Sequence, residues 1–126
     1  DDDEDRYLLN YSFTEIGLDE NVKFFGDSLQ FIKYVELISS LNVKPSLIIM
    51  DYKIPYMNGK ALVEYLKSKS GFKEVPVVIL THALADDIKE KLLDMGVAAC
   101  YVKGVNYEQL TDELREIVKY AVIEPR

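Results

Sequence analysis

The apolar run Leu47-Ile48-Ile49-Met50 stops abruptly at Asp51, and that junction constrains the fold more than any other feature of the chain. It lies between Pro45 and the turn residues Pro55 and Asn58-Gly59. A run this short cannot stand as a helix by itself, and it reads as a strand buried on both faces. Open α/β sheets are built from such strands, and they place their chemistry just beyond the strands' carboxyl ends. A carboxylate buried inside the sheet would be costly. Asp51 is therefore expected to face a cleft or to have a cationic partner.

The rest of the chain alternates in the same manner. Leu9, Phe13 and Ile16 predict a helix over residues 6–16, stopped by Gly17. Val22–Phe25 reads as a short strand, closed by Gly26. Asp27 or Ser28 then caps a helix with an apolar stripe of Leu29, Ile32, Val35 (or Tyr34) and Ile38. After the strand at 46–50, Gly59 opens a helix carrying Leu62, Val63 and Leu66. Val77–Leu80 is a further strand behind Pro76, and Ile88, Leu92 and Met95 mark a helix ended by Gly96. Ala98–Val102 is the last strand, and Asn106 with Gln109 forms a capping box for a final helix carrying Leu110, Leu114, Ile117, Val118 and Ala121. The expected fold is a doubly wound parallel sheet, with residues 1–126 as a single domain. The acidic start Asp1-Asp2-Asp3-Glu4-Asp5 leads directly into the first helix. The sheet therefore reads as short of its leading strand, and a short apolar segment is expected ahead of Asp1.

Composition narrows the function. The formal net charge of -7 argues against nucleic acid and anionic lipid as partners. No apolar run approaches the roughly 18 residues of a membrane span. One Cys and one His leave no basis for a zinc site or a disulfide framework, and a cytoplasmic location is expected. Oxygen-ligand chemistry around Mg²⁺ remains open.

Asp51, Thr81 and Lys103 each follow or end an apolar strand, and the acidic run precedes the first helix. In a parallel sheet these positions emerge on one edge. Clustered carboxylates favour a hard cation, while a Lys and a hydroxyl beside it suit the oxygens of a phosphoryl group. Asp51 is then a candidate nucleophile, because carboxylates form aspartyl phosphates. Taken singly, each feature has a plainer reading. Thr81 reads as an N-cap, Lys103 as a surface charge, Tyr101 as a half-buried edge aromatic, His82 as a solvent-facing loop residue and Cys100 as inert core.

Together these segments resemble the receiver domain of two-component response regulators. The matching stretches are the acidic start, Ile48–Asp51 with Ile54–Gly59, Val78–Thr81, and Ala99–Lys103. The resemblance implies a flavodoxin-like sheet of strand order 2-1-3-4-5, with the first strand missing here. It implies that Asp51 accepts a phosphoryl group from a sensor histidine kinase or a phosphotransfer protein. It also implies Mg²⁺ held by Asp51, the backbone carbonyl of Lys53 and the acidic cluster, either Asp1 alone as direct ligand or Asp1 and Asp2 as the pair. Thr81 and Lys103 would contact the phosphoryl oxygens, and Tyr101 would act as a switch. The expected output is a protein–protein contact with a downstream target through residues 83–120. The domain would catalyse only its own phosphorylation and slow autodephosphorylation. Two positions depart from the family: Gly104 stands where Pro usually follows the Lys, and His82 where a small residue usually follows the Thr. With the altered acidic edge, they keep open a second reading, a phosphorylation-independent interaction module.

Overall fold

The computed structural model describes residues 3–18, 22–53, 57–104 and 106–121, with side chains in the first helix described from Leu8 onward. The elements follow in the order α1 (Asp3–Glu15), α2 (Ser28–Ser40), β1 (Ile48–Met50), α3 (Gly59–Ser68), β2 (Val77–Thr81), α4 (Asp86–Asp94), β3 (Ala99–Val102) and α5 (Tyr107–Ile117). A single 3₁₀ turn, Val118–Tyr120, follows α5. The strands form a parallel sheet in the order β1-β2-β3, with Met50 opposite Ile79 and Thr81 opposite Val102.

The period of two along each strand sorts side chains to the two faces. Ile48, Met50, Val77, Ile79 and Cys100 face the core shared with α2, α3 and α4. Ile49, Val78, Leu80 and Tyr101 face the core shared with α1 and α5. Every residue of β2 is buried, and this central strand is apolar from Val77 to Leu80, as suits a strand covered by helices on both faces; only its last residue, Thr81, is polar. Each fully buried Val, Leu or Ile of this kind contributes about 1.5–3 kcal/mol of transfer free energy.

The helices begin where local chemistry places them. The side chains of Asp27, Asn58 and Asn106 accept from the backbone N–H groups of Gln30, Ala61 and Gln109, each satisfying a donor that the first turn leaves unpaired. Asp27, not Ser28, is thus the cap of α2. Helix α1 runs over Asp3–Glu15 rather than residues 6–16. It is joined to α5 by a buried hydrogen bond of 3.0 Å from the Thr111 hydroxyl to Ser12 Oγ. The Tyr11 and Tyr107 rings meet edge to face, 6.4 Å apart.

Two expectations are corrected. Leu29 is half exposed and Ser28 is buried in its place, whereas Val35 and Ile38 are buried as expected; only the first position of the α2 stripe departs from the sequence reading. Val22–Phe25 is not a strand: it is joined to no ladder among the described residues. The reason is spatial. Between that segment and β1 lies a cavity of about 1070 Å³, lined by Phe13, Phe24, Val35, Ile48 and Met50 and reaching Asp51 and Lys103. Backbone on the far side of such a gap has no partner within hydrogen-bond reach. The three strands correspond to the last three of the order 2-1-3-4-5, and among the described residues no leading strand lies between residues 22–25 and β1. No helix among the described residues is long and apolar enough to cross a membrane.

Candidate functional site

Parallel strands send all their carboxyl ends to one edge, and the register fixes which residues meet there. Asp51 follows the last residue of β1, Thr81 ends β2, and Lys103 follows the last residue of β3. The Thr81 hydroxyl donates to Asp51 Oδ1 at 2.7 Å. Lys103 Nζ donates to Asp51 Oδ2 at 2.9 Å, with the two side chains only 6% and 11% exposed. The Lys53 backbone N–H adds a third bond to Oδ1 at 3.2 Å. Below the side chains, the Lys103 N–H donates to the Thr81 carbonyl at 2.8 Å, tying the ends of β2 and β3 together.

Burial works against the charged carboxylate of Asp51, yet its pKa is held below the ordinary value. The Lys103 and Thr81 hydrogen bonds, the Lys103 charge and the Lys53 N–H together outweigh desolvation. The site thus keeps an anion in a largely enclosed position, with each oxygen already engaged by a donor. A nucleophilic oxygen and two donors that can follow its charge are what acceptance of a phosphoryl group requires.

The loop that positions Asp51 returns through the start of α3. The Gly59 N–H donates to the Tyr52 carbonyl at 2.7 Å. A Cβ at Gly59 would stand 2.9 Å from both the Tyr52 Cα and a Tyr52 ring carbon, so only glycine fits there. We expect Gly59→Ala to lower stability by about 1–3 kcal/mol, the usual cost of overpacking, in urea unfolding. The sequence showed Asn58-Gly59 as turn residues with Gly59 opening the helix, but the close approach to the residue beside Asp51 left no sequence signal.

The remaining candidates fall as follows. Tyr101 is half-buried against the α1/α5 core. Its hydroxyl pKa is pushed up by burial, then by its hydrogen bond to Tyr120 and the nearby acidic groups Glu116 and Glu113. His82 is exposed. Cys100 is half-buried, and burial raises its thiol pKa against the opposing charge of Lys89. The peptide bond between Lys103 and Gly104 is trans, since the described residues hold no cis peptide. Asp1 and Asp2 lie outside the described residues. Among those described, no three His, Cys, Asp or Glu side chains stand close enough to share a metal ion. What is present at the site among the described residues is the Asp51 carboxylate, an oxygen ligand of the kind that suits a hard dication.

Comparison with known proteins gives the family. The model of the response regulator receiver domain matches residues 1–115. The chain belongs to the response regulator receiver domain family, whose members are signalling domains of two-component systems. It is 22% identical over 114 residues to the probable methanogenesis regulatory protein FilR2 of Methanothrix harundinacea, covering 90% of this chain and 74% of the relative. It spans only 4%, 26% and 50% of three other curated relatives. Among solved structures, the phosphorylated cyanobacterial phytochrome response regulator RcpA superposes with a TM-score of 0.83 at 22% identity, over 96% of this chain and 88% of that one. The Mn²⁺-bound response regulator Rcp1 does so with a TM-score of 0.76 at 19% identity, over 100% and 94%. These likenesses establish the flavodoxin-like receiver fold.

Proposed function

We infer that this domain accepts a phosphoryl group on Asp51 from a phosphohistidine of a sensor kinase or phosphotransfer protein and passes the signal on by protein contact. The observation that carries the reading is the convergence of Thr81 and Lys103 on the two oxygens of one largely buried carboxylate, at 2.7 and 2.9 Å. An Asp51 oxygen attacks phosphorus in line with the bond to the donor nitrogen. That bond breaks, and its electron pair leaves with the imidazole. The Lys103 ammonium and the Thr81 hydroxyl then follow the negative charge outward, from carboxylate oxygens to phosphoryl oxygens. Asp51, the backbone carbonyl of Lys53 and the acidic pair Asp1 and Asp2 would hold a Mg²⁺ ion, which when bound neutralises the phosphoryl oxygens.

Signalling follows as a population shift. The Thr81 hydrogen bond and the Lys103 ion pair, now made to Asp51, reach the phosphoryl oxygens together in only one arrangement of the loops after β2 and β3. Tyr101, on β3 beside both loops, is the side chain placed to change its packing with them. The surface affected is α4, β3 and α5, where a downstream protein would bind. A cytoplasmic setting accords with this chemistry.

The test is direct. Incubation with acetyl phosphate and Mg²⁺ should place one phosphoryl group on Asp51, located by mass spectrometry of the intact acyl phosphate or of its borohydride-reduced homoserine. Label found only elsewhere would move the acceptor. A protein that stays unlabelled by acetyl phosphate and by phosphohistidine donors would leave the phosphorylation-independent interaction module as the reading.

A further inference from the structure

Lys103 has to hold its ammonium group on Asp51 from a loop that lacks an internal stiffener. The residue after it is Gly104, the type with the greatest backbone freedom, joined by a trans peptide bond. The structure supplies the missing restraint from elsewhere. The Gly104 N–H donates to the Glu113 carboxylate (Oε1) at 2.7 Å in a partly buried contact. This is a charge-assisted bond from a helix side chain to a loop backbone. The preceding N–H, that of Lys103 itself, is fixed on the Thr81 carbonyl at 2.8 Å. Both peptide groups flanking the Lys103 Cα are therefore tied, one to the sheet and one to α5.

The fit around Gly104 is close. A Cβ there would stand 2.5 Å from Gln109 Cβ, 3.1 Å from the Gln109 carbonyl carbon and 3.0 Å from Glu113 Oε1. Only a residue without a side chain lets the loop sit low enough on the first turns of α5 for Glu113 to reach its N–H. The helix is itself rigidly seated, with Leu110, Thr111, Leu114 and Ile117 buried along one face. A carboxylate on such a helix is a fixed anchor.

We propose that Glu113 is a positioning residue that holds Lys103 on the acceptor carboxylate by anchoring the Gly104 amide to α5. Its functional consequence rests on the phospho-acceptor reading, but the anchoring itself does not, and two readouts separate them. The first is the rate at which an N-hydroxysuccinimide acetate acylates Lys103, followed by mass spectrometry without any phosphodonor. Glu113→Ala should raise that rate about tenfold, the scale of one lost hydrogen bond to a charged group at the lower end of its range. Glu113→Gln, whose side-chain oxygen still accepts, should restore most of the protection. Asp112→Ala, on the exposed neighbouring position that pairs with Arg115, should leave it unchanged. The second readout is Asp51 labelling by acetyl phosphate, expected to fall by a similar factor in Glu113→Ala and to recover in Glu113→Gln.

Unchanged Lys103 acylation in a folded Glu113→Ala protein overturns the proposal, whatever happens to labelling. Protected Lys103 in a wild-type protein that cannot be labelled would instead overturn the phospho-acceptor reading and leave the anchor standing. If Glu113→Ala does not fold, hydrogen exchange on the unmodified protein decides. The Gly104 amide should exchange well below the free-loop rate, and exchange at that rate refutes the contact.

Discussion

Asp51→Asn abolishes labelling by acetyl phosphate with Mg²⁺, a fall to the background of non-specific phosphorylation. Asparagine keeps the shape of the side chain and its ability to accept the Thr81 hydrogen bond at Oδ1, the atom that now takes it at 2.7 Å. It loses the nucleophile. A neutral amide oxygen keeps its lone pairs but lacks the negative charge that makes a carboxylate nucleophilic enough to displace a leaving group from phosphorus. The substitution also acts on Lys103, whose side chain is 6% exposed and whose carboxylate partner at 2.9 Å is gone. Breaking a buried pair by removing one member costs about 3–5 kcal/mol when the survivor is sealed from water. Here the cavity bordering both residues and the remaining amide oxygen soften that cost, so a loss of about 1–3 kcal/mol is expected instead, the cost of a buried donor left without its partner. Mass spectrometry measures the first effect and urea unfolding the second. Persistent labelling of the Asn variant would place the acceptor on another residue.

That outcome depends on geometry that the sequence displayed only in part. The strands β1, β2 and β3 were legible because each is a short apolar run with a polar stop, and because parallel strands necessarily present those stops on one edge. Asp51, Thr81 and Lys103 could therefore be brought together before any contact was seen. The Val22–Phe25 segment misled for the complementary reason. Its residue types favour a strand, yet a strand exists only where a neighbour supplies hydrogen bonds, and residue types carry no record of that neighbour. The α2 stripe departs from the reading only at its first position, because Leu29 is as apolar as the residues that are buried; Ser28 is buried in its place. The clasp of Glu113 on Gly104 was invisible for a different reason. A lone acidic residue on an amphipathic helix looks like any solvated charge, and the contact spans a turn whose path the sequence does not specify. The acidic residues expected to complete a cation site, Asp1 and Asp2, fall outside the described residues, so the oxygen cluster rests on Asp51 alone in the structure.

Lys103→Met reverses the sign of the pH dependence contributed by Asp51 and slows phosphorylation by about 10²-fold or more, the scale seen when a charge-stabilising donor is removed from a transition state. In the wild-type protein the folded-state pKa of Asp51 lies below its ordinary value. A depressed carboxylate binds fewer protons folded than unfolded near that range. Its stabilising contribution is accordingly complete above the unfolded pKa of about 3.9 and disappears as pH falls through the lower, folded value. Removing the ammonium deletes the hydrogen bond and the charge that oppose desolvation, which is the largest influence on this group. Methionine fills a similar volume without offering a donor. The folded pKa should then rise above the unfolded one, because the Thr81 and Lys53 bonds remain but no cation does. The variant becomes less stable than wild type near neutral pH, and the deficit shrinks as pH falls through the raised pKa and the carboxyl takes up a proton. Urea midpoints measured between about pH 3.5 and 7 will show it: the wild-type minus variant difference should narrow steadily on acidification. A difference that stays flat across that range would mean that Lys103 does not set the charge state of Asp51, and the electrostatic account of the site would fail with it.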